Sequence, residues 1–250
     1  MAEFYDELAP YYHLIFTDWD RSIRRQGEQL AALIDKHWPF ARRVLDVACG
    51  IGTQSFALAQ RNYIVFASDM SEVALKRARL EAQKRNLMIA FTRCDMRRAH
   101  EGHGSGFDVV VCADNALPHL LTDEEILQAL GQMFECLLPG GGCIVTVRDY
   151  QGLMKAGKGL LVPYPLHESA AKRYIVFQQL EFKGAYCSVR FCIVQEDLAT
   201  RESSVRVMKT HYYAVSTDRL CELMREAGFT DVQRLDGAFY QPVLIGTRPK

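Results

Sequence analysis

Residues 44–52, VLDVACGIG, limit what this chain can become more than any other stretch. They read as a short apolar strand that ends in an acid, Asp46, and runs through small residues into a segment of helical period over 53–62. Small residues at such a turn let a ligand approach the backbone, and the start of the helix offers free N–H groups. A dinucleotide loop calls for G-x-G-x-x-G, yet Ser55 stands where the third glycine belongs. A P-loop calls for Gly-Lys-Ser/Thr, which is missing from this loop.

Strand and helix alternate around this loop. Apolar residues at helical spacing predict a helix over 21–37, stopped by Pro39. Strands follow over 63–69, 88–95 and 107–114 and within 139–150, with helices over 71–86 and 122–137. Ser71 is placed as an N-cap, and Thr122 with Glu125 makes a capping box. Such units predict an α/β, doubly wound fold with a mostly parallel sheet. Residues 151–169 read as a loop punctuated by Gly and Pro, and 174–184, 185–197 and 203–216 as antiparallel strands. A helix over 216–229 and a strand over 239–249 close the chain.

Charge and cysteine usage narrow the setting. Thirty Lys plus Arg balance thirty Asp plus Glu, which argues against bulk nucleic-acid or membrane-surface binding. Eight cysteines lie mostly inside apolar runs with no C-x-x-C pair, which predicts reduced thiols and a cytoplasmic protein. The opening MAEFYDELAP has no signal-peptide pattern, and no run approaches the ~18 apolar residues of a membrane span. No histidine or cysteine cluster has metal-ligand spacing.

Asp46 begins a D-x-A-x-G-x-G pattern, Asp69 ends the second strand, and Asp95 with Met96 ends the third. In a doubly wound sheet these strand ends face one crevice. A carboxylate at Asp69 can hold both hydroxyls of an unphosphorylated ribose, and Met70 or Met96 can pack on a purine. The set suits adenosine without phosphates.

With the segment FDVVVCADN (107–115), these residues resemble the class I S-adenosylmethionine-dependent methyltransferases. The resemblance implies a Rossmann-like, mostly parallel seven-stranded sheet with a small antiparallel β elaboration. It divides the chain into an N-terminal lid (1–40), a cofactor-binding core (41–150), the elaboration over the active site (151–215) and a C-terminal helix and strand (216–250). VCADNALPHL (111–120), TVRDY (146–150) and THYYAVSTDRLCELMREAGF (210–229) are similar to the glycine/sarcosine N-methyltransferase group. The opening YDELAPYYHLIFTDWDRSIRRQ is similar to bacterial small-molecule N-methyltransferases, including those acting on toxoflavin-type azapteridines.

By this resemblance Ala48, Gly50, Asp69, Met70, Asp95, Met96 and Ala113 line the S-adenosylmethionine site. Tyr12 and Trp19 cover it, and Arg24 takes the methionine carboxylate. Asn115 orients the acceptor amine, Arg148 anchors the acceptor, and Tyr5 and His119 complete the catalytic candidates. His119, and less so His211, is placed to take a proton near neutral pH. The expected acceptor is an amine or nitrogen heterocycle. Glycine/sarcosine-type methylation, O-methylation, RNA methylation and a non-catalytic adenosyl-binding scaffold stand as alternatives. Exposed apolar strands in 151–215 make a homodimer an expectation.

Overall fold

The computed structural model describes residues 2–155 and 159–250. In chain order the elements are α1 (Ala2–Leu8), a 3-10 turn at Tyr12–Ile15, α2 (Trp19–His37), β1 (Arg43–Asp46), α3 (Thr53–Ala59), β2 (Ile64–Asp69), α4 (Glu72–Lys84) and β3 (Ile89–Arg93). Then come α5 (Ala99–His103), β4 (Phe107–Cys112), α6 (Asp123–Cys136), β5 (Leu137–Thr146), α7 (Tyr150–Lys155), β6 (Leu160–Pro163) and β7 (His167–Glu168). The chain ends with β8 (Lys172–Lys183), β9 (Tyr186–Asp197), β10 (Ser203–Tyr213), α8 (Thr217–Glu226), β11 (Thr230–Leu235) and β12 (Val243–Thr247).

A seven-stranded sheet runs β11-β12-β5-β4-β1-β2-β3, with β1 to β5 parallel and β12 antiparallel to both its neighbours. Side chains one residue apart on a strand point to opposite faces, and the core divides accordingly. Val44, Val109, Val111, Ile144 and Ile245 pack with Leu30, Leu33 and Ile34 of α2. Leu45, Val110, Val145 and Leu244 pack instead with Ile126 and Leu130 of α6 and with Leu220 and Leu223 of α8. Helix α2 is therefore part of the core layer, and only residues 2–18 ahead of it lie over the strand ends. Strand order reverses between β1 and β4, and a doubly wound sheet opens a crevice at that point.

A second sheet, β10-β9-β8-β6 with β7 beside β8, is antiparallel throughout. Its inner face buries Val176, Phe191, Ile193 and Met208 against Phe4, Leu8 and Leu14. The N-terminal segment is thus held between the second sheet and the core. Ser71 at the start of α4 donates to Asp6 at 2.5 Å, and Arg77 donates to the carbonyl of Ala9.

Two parts of the sequence reading change. Residues 151–169, read as a loop, contain most of α7, which starts at Tyr150, together with β6 and β7, while 156–158 lie outside the described residues. Strand β6 is four residues long and is defined by pairing with β8, which local pattern does not reveal. Strand β11 was not anticipated because TDVQRL is polar and sits at the sheet edge, where little needs burying.

Gly142 of β5 lies under the indole of Trp38, and a Cβ there would come within 2.0 Å of the ring. Overpacking of this kind costs about 1–3 kcal/mol. Gly142→Ala is expected to lower the urea midpoint with an unchanged slope; an unchanged midpoint would mean that the ring has room to move.

Candidate active site

The loop after β1 is organised from beneath. The buried Asp46 carboxylate accepts from Ser55 Oγ at 2.6 Å and from the Ala48 N–H at 3.3 Å, which fastens the loop to α3. Ser55, which breaks the dinucleotide pattern, therefore has a bonding role of its own. Burial pushes the Asp46 carboxyl up to about 6 against the lowering effect of the Ser55 bond. Gly50 (φ 53°) and Gly52 (φ 96°) take left-handed conformations, and a Cβ on Gly50 would press on the Tyr12 ring at 3.3 Å.

Asp69 ties the loop to the second strand. Its Oδ2 accepts from the Gly50 N–H at 2.8 Å and its Oδ1 from the Ser71 N–H at 2.9 Å. Burial raises its pKa, and these backbone bonds oppose the rise. Above Asp69 opens a narrow cleft of about 710 Å³. Tyr12, Ala48, Gly50, Asp69, Met70, Asp95, Met96 and Ala113 all line it, with Tyr5 and His119 at one side.

Three carboxylates, Asp69, Asp95 and Asp114, line this cleft, and among the described residues no Lys or Arg does. Asp95 is shared with Arg97, whose hydrogen bonds outweigh burial and hold the carboxyl below its usual range. The donor set fits an adenosyl sulfonium. Asp69 offers acceptor positions for ribose hydroxyls, Met70 and Met96 give apolar faces, no cation awaits a phosphate, and the acidic lining suits a positive charge.

Two expected contacts are not found in the cleft. Trp19 stands beside it, giving its indole N–H to Thr53 Oγ1 at 2.8 Å and packing near Phe56 and Arg85. Arg24 is exposed and lines none of the described cavities, because its position on α2 faces solvent. Arg25, one residue on, borders an outer cleft instead.

Tyr5, Tyr12 and Asp114 also line a smaller chamber of about 360 Å³, closed by Arg148, Tyr164, Gln178, Phe191 and Tyr212. This chamber shares Asp114, Arg148 and Tyr164 with the outer cleft of about 1360 Å³. Burial keeps the Tyr5 and Tyr12 phenols protonated and pushes Tyr212 up to about 12. Arg148 donates to Gln178 Oε1 at 3.0 Å and to the Tyr164 hydroxyl at 3.4 Å.

Asn115 borders the chamber, yet both ends of its side chain are used within the protein. Nδ2 donates to the Tyr150 hydroxyl at 2.8 Å, and Oδ1 accepts from the Arg148 N–H at 3.0 Å. Its geometry is that of a positioning residue, in place of the expected contact with the acceptor amine. His119 shares a 2.7 Å hydrogen bond between Nε2 and the Tyr5 hydroxyl, and burial pushes it down to about 3. A neutral imidazole at pH 7 replaces the expected base titrating near its ordinary value. His211 faces out of the second sheet, and strand alternation turns its neighbour Tyr212 inward.

Asp114, Tyr164, Gln178 and Tyr212 were not singled out in the sequence. Only Asp114 carried a signal, as the neighbour of Asn115. All eight cysteines are free, and burial pushes the Cys49 thiol well above its usual range, as suits a packing residue. Among the described residues no group of His, Cys, Asp and Glu is placed to hold a metal, and no helix is long and apolar enough to cross a membrane.

Residues 44–141 match the family model described as a methyltransferase domain. That segment and the relatives that follow support a class I S-adenosylmethionine-dependent methyltransferase domain over the core of the chain. It is 29% identical over 143 residues to a glycine/sarcosine N-methyltransferase of Parasynechococcus marenigrum, covering 57% of this chain and 50% of that protein. A dTDP-3-amino-3,6-dideoxy-alpha-D-glucopyranose N,N-dimethyltransferase of Streptomyces fradiae is 26% identical over 218 residues, 87% of this chain and 74% of that one. The chain spans about half the length of the glycine/sarcosine relatives it matches. A similar fold occurs in the S-adenosylmethionine-bound amino pentose methyltransferase of Micromonospora echinaspora, with TM-score 0.78, 21% identity and 91% and 92% of the two chains covered.

The low pKa of His119 predicts a pH effect on the stability of this protein. Its folded value of about 3 lies below the ordinary value, so the unfolded chain binds the extra proton first and stability falls as pH drops below 6.5. Between pH 7.5 and 5 wild type is expected to lose about 2 kcal/mol more than His119→Gln, measured by urea unfolding at both pH values. Equal losses would show that His119 is solvated.

Proposed function

We propose that this chain transfers a methyl group from S-adenosylmethionine to a nitrogen of a small molecule. The observation that carries the reading is the acidic cleft free of lining cations, continuous at Tyr5, Tyr12 and Asp114 with a chamber walled by tyrosines. S-adenosylmethionine supplies an already activated methyl group, so the protein's task is placement and exclusion of water.

Asp69 takes the ribose and Asp95 the adenine edge, with Met70 and Met96 against the ring. Tyr12 closes over Gly50 and, with Tyr5, separates cofactor cleft from acceptor chamber. Arg148, oriented by Gln178 and Tyr164, anchors an oxygen of the acceptor, and Asn115 fixes the Arg148 backbone. Methylation of a glycine-like amino acid would use Arg148 for the carboxylate. The outer cleft, much larger than the chamber, favours an acceptor whose amine enters while the rest of the molecule stays outside. The amino-sugar relative is consistent with that shape. No step in this scheme needs a charged histidine.

The outer face of the second sheet supports pairing with a second copy. Ile175 and Val205 oppose Val194 in one row, and Phe177 and Val207 oppose Cys192 in the next, with Ile175 49% and Val205 66% exposed. Light scattering is expected to report a dimer, and Val205→Asp a monomer; a monomeric wild type would remove the pairing.

Calorimetric titration with S-adenosylhomocysteine is expected to show micromolar binding, weakened at least about 100-fold by Asp69→Ala, which removes both ribose acceptors and the Gly50 tether. With an amine acceptor kcat/KM should rise with deprotonation of the acceptor itself, without a limb near pH 6.5. Undiminished binding by the Asp69 variant would overturn the cofactor placement.

A further inference from the structure

Asp114 stands where the three cavities meet, lining the cofactor cleft, the acceptor chamber and the outer cleft. Its backbone is left-handed (φ 55°), and so is that of Asn115 (φ 67°). Two successive side-chain-bearing residues in that region are costly, and surrounding structure must hold them there. Here the holding groups are visible. The Asp114 N–H donates to Thr146 Oγ1 at 2.8 Å and the Asn115 N–H to the Thr146 carbonyl at 3.0 Å. Thr146 Oγ1 in turn donates to Gln241 Oε1 at 2.9 Å.

This scaffold presents a carboxylate that has, among the described residues, only neutral hydrogen-bond partners. They are the Tyr12 hydroxyl at 3.3 Å, Gln241 Nε2 at 3.2 Å and the Tyr240 hydroxyl. Among the described residues none of the ion pairs includes Asp114, and Arg148, the cation of the same chamber, is directed to Gln178 and Tyr164. A part-buried carboxylate without a cation is a site built for one that arrives with a ligand. The rings of Tyr5, Tyr12 and Tyr212 around it favour a cation as well.

We propose that Asp114 is the counter-ion of the acceptor nitrogen and selects amines over hydroxyl or carboxylate acceptors; this rests on the methyl-transfer reading above. The amine enters as an ammonium ion and sheds one proton to water. Its lone pair then forms the new N–C bond, the C–S electron pair leaves with sulfur, and the positive charge ends on nitrogen, which releases a further proton to solvent. A fixed negative charge beside that nitrogen stabilises the charge as it develops.

Cyclohexylamine and cyclohexanol, equal in shape, are the probes, each titrated by NMR at pH 7 into the protein with and without S-adenosylhomocysteine. Wild type is expected to bind the amine at least tenfold more tightly than the alcohol. Asp114→Asn, which keeps the shape and tolerates the left-handed backbone, is expected to erase the difference. No preference in wild type, or a preference that survives the substitution, overturns the assignment. Binding of S-adenosylhomocysteine without amine preference removes Asp114 alone. Amine preference without that binding keeps Asp114 as an amine anchor and removes the methyl-transfer reading. Should the variant fail to fold, the pKa of cyclohexylamine bound to wild type decides the matter: it is expected to lie above the free value, and an unchanged or lowered value overturns the proposal.

Discussion

The bond from the Gly50 N–H to the Asp69 carboxylate, 2.8 Å long, joins the two features on which the site depends. One is a glycine loop at the end of β1, and the other is an acid at the end of the neighbouring β2. Parallel pairing of these strands brings their ends to the same level, with Asp46 opposite Ala67. Asp46 below and Asp69 beside the loop then hold it open. Without that tether the left-handed turn at Gly50 has no reason to face the cleft, and Tyr12 has no floor to close on.

The second sheet contributes through its alternation. Gln178 and Phe191 are directly paired across β8 and β9, and Tyr212 lies four residues beyond Met208 along β10, on the same face. All face inward, where the N-terminal segment and the strand ends of the core complete an enclosure. Shifting any of these strands by one residue would turn its polar contact to solvent and its outer apolar residue into the chamber. Register therefore decides which residues meet the acceptor.

Charge is distributed unevenly over an enclosure that belongs to a neutral chain. Among the described residues the carboxylates Asp69, Asp95 and Asp114 line the cofactor cleft without a Lys or Arg, while Arg148 lines the neighbouring chamber and Asp114 lines both. Such an arrangement favours a positive ligand in the cleft and a positive nitrogen next to it. The buried His119 and Tyr5, linked at 2.7 Å, are neutral under the same conditions and set shape and polarity.

Sequence alone determined the alternating core, the helix caps at Ser71 and Thr122, and the loop with its acids, because each is written in local periodicity or in residues a few positions apart. Asp69, Asp95 and Met96 were legible for the same reason, since each ends a strand whose direction was known. Tertiary structure decided the rest. It turned Arg24 to solvent and gave Asn115 to the Tyr150 hydroxyl and the Arg148 backbone. It also made His119 neutral by burial and brought Gln178 and Tyr212 from a separate sheet to Asp114. Those outcomes depend on helix rotation, burial and strand register between segments far apart in the chain, and none of these is encoded in the spacing of neighbouring residues.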